Sequence, residues 1–142
     1  MPGTKVILLM GATATGKTDL AREIGRHFPV EIISVDPALI YRGMDIGTAK
    51  PEPRVLDSVP HHLIDIIDPA EPYSVWDFVQ QSRQLVNEIS ARGRIPLLVG
   101  GTMMYFHAFE RGLNRLPEAD VTIRQRLNHE AQQIGWRAMH DR

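Results

Sequence analysis

The chain has 142 residues, 43% of them apolar and 23% charged, with a formal net charge of −1 and no cysteine. That composition describes one soluble globular domain able to bury a core; it excludes disulfides and thiolate metal sites and fits a reducing cytoplasm. It also gives no global attraction to nucleic acid. No apolar run reaches the ~20 residues needed to cross a bilayer, and the N-terminus lacks a signal-peptide layout.

In chain order, Val6-Ile7-Leu8-Leu9-Met10 is an apolar run of strand length, expected to be covered on both faces of a parallel sheet. Gly11-Ala12-Thr13-Ala14-Thr15-Gly16-Lys17-Thr18 follows and fits G-x-x-x-x-G-K-[ST], the phosphate-cradling P-loop. The glycines let backbone N–H groups approach an anion at the positive end of the next helix. Lys17 would neutralise a phosphate and the Thr18 hydroxyl would ligate Mg²⁺. A chance match in a chain this long is on the order of 1%, so a turn that binds nothing is the weaker reading.

Leu20, Ala21, Ile24 and Phe28 then recur at helical spacing, and Val30 to Val35 forms a second strand ending at Asp36-Pro37. Asp36 therefore stands at the C-terminal end of a strand, where open α/β sheets bind ligands. It is a candidate proton acceptor, a turn aspartate or a magnesium ligand. Residues 37–60 hold four prolines and two glycines and predict loop with a short helix; His61 to Asp68 suggests an edge strand. Ser74 and Asp77 form a capping-box pattern before a helix whose inner face is Phe78, Ser82, Leu85, Val86 and Ile89, stopped at Gly93.

Ile95 to Val99 is a third buried strand, and Gly100-Gly101-Thr102 turns into a helix over Met103 to Arg111. The alternation predicts a P-loop NTPase-like α/β fold, a parallel sheet flanked by helices. From Leu116-Pro117 the character changes. Asp120 caps a helix with Ile123, Leu127, Ala131 and Ile134 on its apolar face and Gly135 past its end. The expected division is an incomplete core over residues 1–115 and the start of a helical insertion over 116–142, in a chain that stops in mid-pattern.

Other residues keep two readings. Thr102 caps its helix, touches substrate or does both, and Arg124 is a solvated helix residue or a ligand contact. Arg42, Lys50 and Arg54 would contact phosphate or serve solubility, and Tyr41 would pack or stack on a base. His61 and His62, pointing to opposite faces with no obvious carboxylate partner, are expected to be structural.

Taken together, the P-loop, Asp36-Pro37-Ala38-Leu39-Ile40-Tyr41, Met44-Asp45-Ile46-Gly47-Thr48-Ala49-Lys50-Pro51, Pro60-His61-His62-Leu63-Ile64-Asp65, Arg94 to Val99 and Gly100-Gly101-Thr102 resemble the tRNA dimethylallyltransferase (tRNA isopentenyltransferase) family over essentially the whole chain. The resemblance implies transfer of a dimethylallyl group from its diphosphate to N6 of the adenosine beside the tRNA anticodon. It implies tRNA and dimethylallyl diphosphate as partners, Mg²⁺ as cofactor, and a monomer at full length. Under it, residues 11–18 hold the diphosphate, Asp36 is the general base, and Asp36, Pro37, Ala38 and Leu39 touch the target nucleotide. Thr102 lies by the reacting groups and the tRNA, and Arg124 contacts tRNA at the start of an inserted helical domain.

Pro37 stands where the family usually has serine. The family's chains are also longer, so the sequence looks like an N-terminal portion, not competent for transfer by itself. The competing readings are a small-molecule kinase, which would need an arginine-rich lid, and a diphosphate-binding fragment without turnover.

Overall fold

A computed structural model describes residues 5–114 and 119–141. The expected change of character at Leu116-Pro117 lies outside the described residues. The chain forms one parallel sheet of four strands, β1 (Ile7–Met10), β2 (Val30–Val35), β3 (His61–His62) and β4 (Ile95–Gly100), in the order β1-β4-β2-β3. Helices α1 (Lys17–His27), α2 (Pro53–Leu56), α3 (Val75–Ala91), α4 (Met103–Arg111), α5 (Val121–Ile134) and α6 (Trp136–His140) complete it. Parallel strands require crossovers: α1 joins β1 to β2, α2 lies in the connection from β2 to β3, and α3 joins β3 to β4.

The alternation of β2 explains the two layers. Ile33 and Val35 face a cluster with Phe78, Val79, Val86 and Ile89 of α3 and Tyr105, Phe106 and Ala108 of α4. Val30 and Ile32 face the other way, onto Ala21 of α1 with Val59 and Leu97. All six residues of β2 are buried, as a strand covered on both faces should be. Each large side chain removed from water in these clusters contributes roughly 1.5–3 kcal/mol before entropy is counted.

Local signals hold where one stretch of chain decides them. Ser74 accepts from Asp77 N and the Asp77 carboxylate returns to Ser74 N at 2.9 Å, the reciprocal cap expected for α3. Asp120 accepts from Thr122 N and Ile123 N at 2.7 and 3.0 Å and starts α5.

Three expectations need correction. β1 is not covered on both faces: Ile7 and Met10 are exposed, because β1 is an edge that hydrogen-bonds to β4 alone among the described residues. On α1, Leu20 is half exposed, and Phe28 lies beyond the helix end in extended conformation and is exposed. The helix instead lies on the sheet through Ala21 and the neighbouring Gly25, where an added Cβ would sit 2.4 Å from Val59 Cγ2. The edge strand shrinks to His61–His62, because Leu63 and Asp65 adopt left-handed backbone; a lone bridge, Tyr41 to Ile67, extends the pairing.

A further correction concerns the histidines. His62 does have a carboxylate partner, Glu31 on β2, with Nε2 2.6 Å from Oε2. Arg92 donates to both oxygens of the same buried carboxylate, at 3.2 and 2.8 Å, and Arg94 lies 3.5 Å away. Those partners are 31 and 61 residues away in sequence, so no local pattern announces them. The Arg92 bonds hold the Glu31 carboxyl below its ordinary value of 4.5; burial opposes them and the His62 bond adds to them. A depressed carboxyl contributes stability above its unfolded value, and that contribution is lost as pH falls through the folded one. Glu31→Gln is therefore expected to cost about 1–3 kcal/mol near neutral pH, with the gap to wild type closing below about pH 4.5. Urea unfolding across pH checks this; a gap that stays constant in acid contradicts it.

A tighter constraint sits at the other end of the sheet. A Cβ on Gly100 would lie 2.1 Å from the Val35 carbonyl oxygen, so β2 and β4 can pair there only without a side chain. Gly100→Ala is expected to cost about 3 kcal/mol, the upper range for overpacking, measured by urea unfolding. A loss under ~1 kcal/mol would mean that the strand ends are not held this closely.

Candidate active site

The site is built where β1, β4 and β2 end side by side. β1 runs into the loop Gly11–Gly16, and α1 begins at Lys17. Gly16 has φ 81°, a left-handed turn that favours glycine, and Ala14 is left-handed too at φ 63°. Gly16 is the N-cap of α1 and supplies no side-chain cap, so the first-turn amides face the loop's concavity. Thr15 Oγ1 donates to Ala12 O at 2.8 Å, and Lys17 Nζ bonds Ala12 O and approaches Thr15 Oγ1 at 3.4 Å. The ammonium thus lies over the loop itself.

A cleft of about 330 Å³ opens here, lined by Ala14, Thr15, Gly16, Lys17, Thr18, Asp19 and Ala49. Thr18 also borders a second cavity of about 50 Å³, with Ser34, Leu39 and His61 on its wall.

The second component is Gly100-Gly101-Thr102. Gly101 packs against the start of the P-loop: a Cβ there would meet the Gly11 carbonyl at 3.1 Å. Gly100 abuts Val35 on the other side. Thr102 follows the end of β4, the strand that lies between β1 and β2 in the sheet. It is the N-cap residue of α4, yet its side chain makes no capping bond, so the structure does not realise the capping reading of its hydroxyl.

Asp36, the first residue after β2, is half-buried. Its Oδ1 accepts from Ala38 N at 2.8 Å and Leu39 N at 3.4 Å, so the turn reading is realised with one oxygen. The other oxygen takes no hydrogen bond among the described residues. The proline at position 37 costs this turn nothing, because the amides that serve it come two and three residues after the aspartate. Beneath lies Tyr105, buried and stacked on Phe78 with ring centroids 4.6 Å apart. Burial first, then the proximity of Tyr41 and Asp36, pushes the Tyr105 hydroxyl above its ordinary value.

The remaining basic candidates are spent internally. Arg42 donates to the carbonyls of Asp65 and Ile66 at 3.2 and 2.7 Å, and Arg54 pairs with Glu52 at 2.7 Å. Lys50 is held by Asp45, Asp65 and the Tyr41 carbonyl. This burial of Lys50 is the feature sequence reasoning missed. Arg124 is exposed on the first turn of α5 and is not among the residues lining the cleft.

No cluster of three His, Cys, Asp or Glu residues able to hold a metal occurs among the described residues. A Mg²⁺ ion fits only as a ligand-borne ion. The Thr18 hydroxyl, on the cleft wall and free of other hydrogen bonds among the described residues, would supply one oxygen; phosphates and water would supply the rest.

Comparison with known proteins finds relatives along nearly the whole chain. The IPP transferase family profile matches residues 39–142, and the isopentenyl transferase profile matches residues 4–69. The tRNA dimethylallyltransferase of Alkalilimnicola ehrlichii is 60% identical over 142 residues, which is 99% of this chain and 45% of that protein. The crystal structure of the tRNA isopentenylpyrophosphate transferase from Bacillus halodurans superimposes with a TM-score of 0.76 at 43% identity, over 97% of this chain and 46% of that one. A eukaryotic dimethylallyltransferase captured acting on tRNA superimposes with a TM-score of 0.71 at 28% identity, over 81% of this chain and 30% of its own. The chain spans less than half the length of these relatives. With more than half of its residues matched by the profile, the chain belongs to the IPP transferase family.

Proposed function

We propose that this chain supplies the diphosphate cradle and the proton acceptor of a tRNA dimethylallyltransferase. The observation that carries the reading is the convergence of the P-loop, Thr102 and Asp36 at one end of the sheet in a member of this family. The N6 amine of adenine is a poor nucleophile, since its lone pair is delocalised into the ring. Attack on the allylic carbon of dimethylallyl diphosphate forms the N–C bond as the C–O bond breaks, and the bonding electrons leave with the diphosphate. Lys17 and the loop amides stabilise the charge growing on that leaving group. When bound through Thr18, Mg²⁺ would add Lewis-acid stabilisation of the same oxygens. The free oxygen of Asp36 takes the N6 proton, while its turn-bonded oxygen fixes the carboxylate's direction. Thr102, with its hydroxyl uncommitted to α4, follows the strand that lies between β1 and β2 and would orient the reacting groups. Arg124 on α5 would meet the tRNA at the start of a helical insertion.

The test is competition in Mg²⁺ buffer. Labelled dimethylallyl diphosphate is expected to bind the chain and to be displaced by inorganic diphosphate at lower concentration than by ATP. Preferential displacement by ATP would favour a kinase instead.

A further inference from the structure

The segment from Arg42 to Pro51 contains no helix or strand, and its tip is solvated, with Ile46 97% exposed. Even so, it supplies Ala49 to the cleft wall facing Ala14 to Asp19. Ala49 is held in left-handed backbone at φ 54°, a conformation that persists only where the surroundings impose it.

The neighbouring residue is firmly anchored. The Lys50 side chain is 6% exposed, and its ammonium has three acceptors for three donors: Asp45 Oδ1 at 2.7 Å, Asp65 Oδ1 at 2.5 Å and Tyr41 O at 3.2 Å. Burial alone would lower the lysine's proton affinity, but the bonds to Asp45 and Asp65 outweigh it and keep the ammonium charged. Tyr41 lies just before the segment, Asp45 in its middle and Lys50 near its end, so one cation closes the loop on itself. Asp65 fastens the closed loop to the fold: its N–H donates to Leu39 O at 3.0 Å, and Arg42 braces its carbonyl.

We propose that Lys50 is a positioning residue of the phosphate cleft: through Asp45, Asp65 and the Tyr41 carbonyl it sets Ala49 as the outer wall, and it does not touch the phosphates. The inference rests on the reading of the P-loop cleft as a diphosphate site. It has an unusual sign. Removing the Asp65 charge should help an anion bind by simple electrostatics, yet it weakens the latch and should weaken binding.

The experiment is a calorimetric titration of the chain with inorganic diphosphate and Mg²⁺. Lys50→Met, which removes all three bonds, is expected to raise Kd about tenfold and Asp65→Asn, which weakens one of them, by a smaller factor, with the double variant no worse than Lys50→Met, since the Asp65 contact is already lost there. Lys50→Arg, which keeps the charge, is expected to recover most of the affinity. Thermal unfolding runs in parallel, and if Lys50→Met fails to fold, Asp65→Asn and Lys50→Arg carry the test. Unchanged or tighter binding by Asp65→Asn would overturn the latch, as would additive losses in the double variant. Lys17→Ala is the control. If the wild type does not bind diphosphate, or Lys17→Ala binds as well, the cradle reading fails and the latch with it; if only the Lys50 and Asp65 variants bind normally, the latch alone fails.

Discussion

Lys17→Ala is expected to reduce prenyl transfer by roughly 10²–10³-fold, corresponding to about 2.7–4 kcal/mol of barrier for one preorganised group at a leaving anion. Folding should be nearly unaffected. Among the described residues, the Lys17 ammonium bonds only Ala12 O and Thr15 Oγ1 of its own loop and supports no core residue. Transfer can be followed in a chimera in which this chain replaces the matching part of its 60%-identical relative, which supplies the portions of the enzyme not represented here. Near-normal single-turnover transfer with unchanged thermal stability would remove the loop from the chemistry.

Asp36→Asn, in the same chimera, is expected to lower the chemical step by about 10²–10⁴-fold while donor binding is kept. The substitution is chosen from the geometry. Asparagine retains an oxygen that can accept from Ala38 N and Leu39 N, so the turn after β2 survives, whereas alanine would break it. What asparagine loses is the ability to take a proton. Single-turnover kinetics and a donor titration separate the outcomes. If donor affinity collapses with the rate, Asp36 serves the diphosphate and its metal rather than the N6 proton.

The placement of both residues in the fold was legible in the sequence because its signals are local. A P-loop is eight consecutive residues between an apolar run and a helical period, and a strand end is marked by Asp36-Pro37. The caps at Ser74 and Asp120 belong to the same class and formed as expected. Contacts that depend on elements meeting in space were not legible. The exposure of Ile7 and Met10 reflects the place of β1 in the sheet, which no residue in the run encodes. Similarly, the face that α1 presents is decided by its close approach to Val59, which favours Ala21 and Gly25 over the larger Leu20.

Charged residues follow the same division. Glu31 looked like a strand residue and Lys50 like a loop cation until the fold brought Arg92 and His62 to the one and Asp65 to the other. A long side chain's role is set by what it reaches, and periodicity carries no information about that.

The measurement that tests the central claim most directly is transfer itself. The chimera is incubated with dimethylallyl diphosphate labelled in the prenyl group, Mg²⁺ and unmodified tRNA, and the tRNA is digested to nucleosides. The account predicts label on N6 of the adenosine beside the anticodon, one diphosphate released per prenyl group, and loss of both products when Lys17 or Asp36 is replaced. Equal labelling by the wild-type chimera and by the Lys17→Ala and Asp36→Asn variants would contradict it.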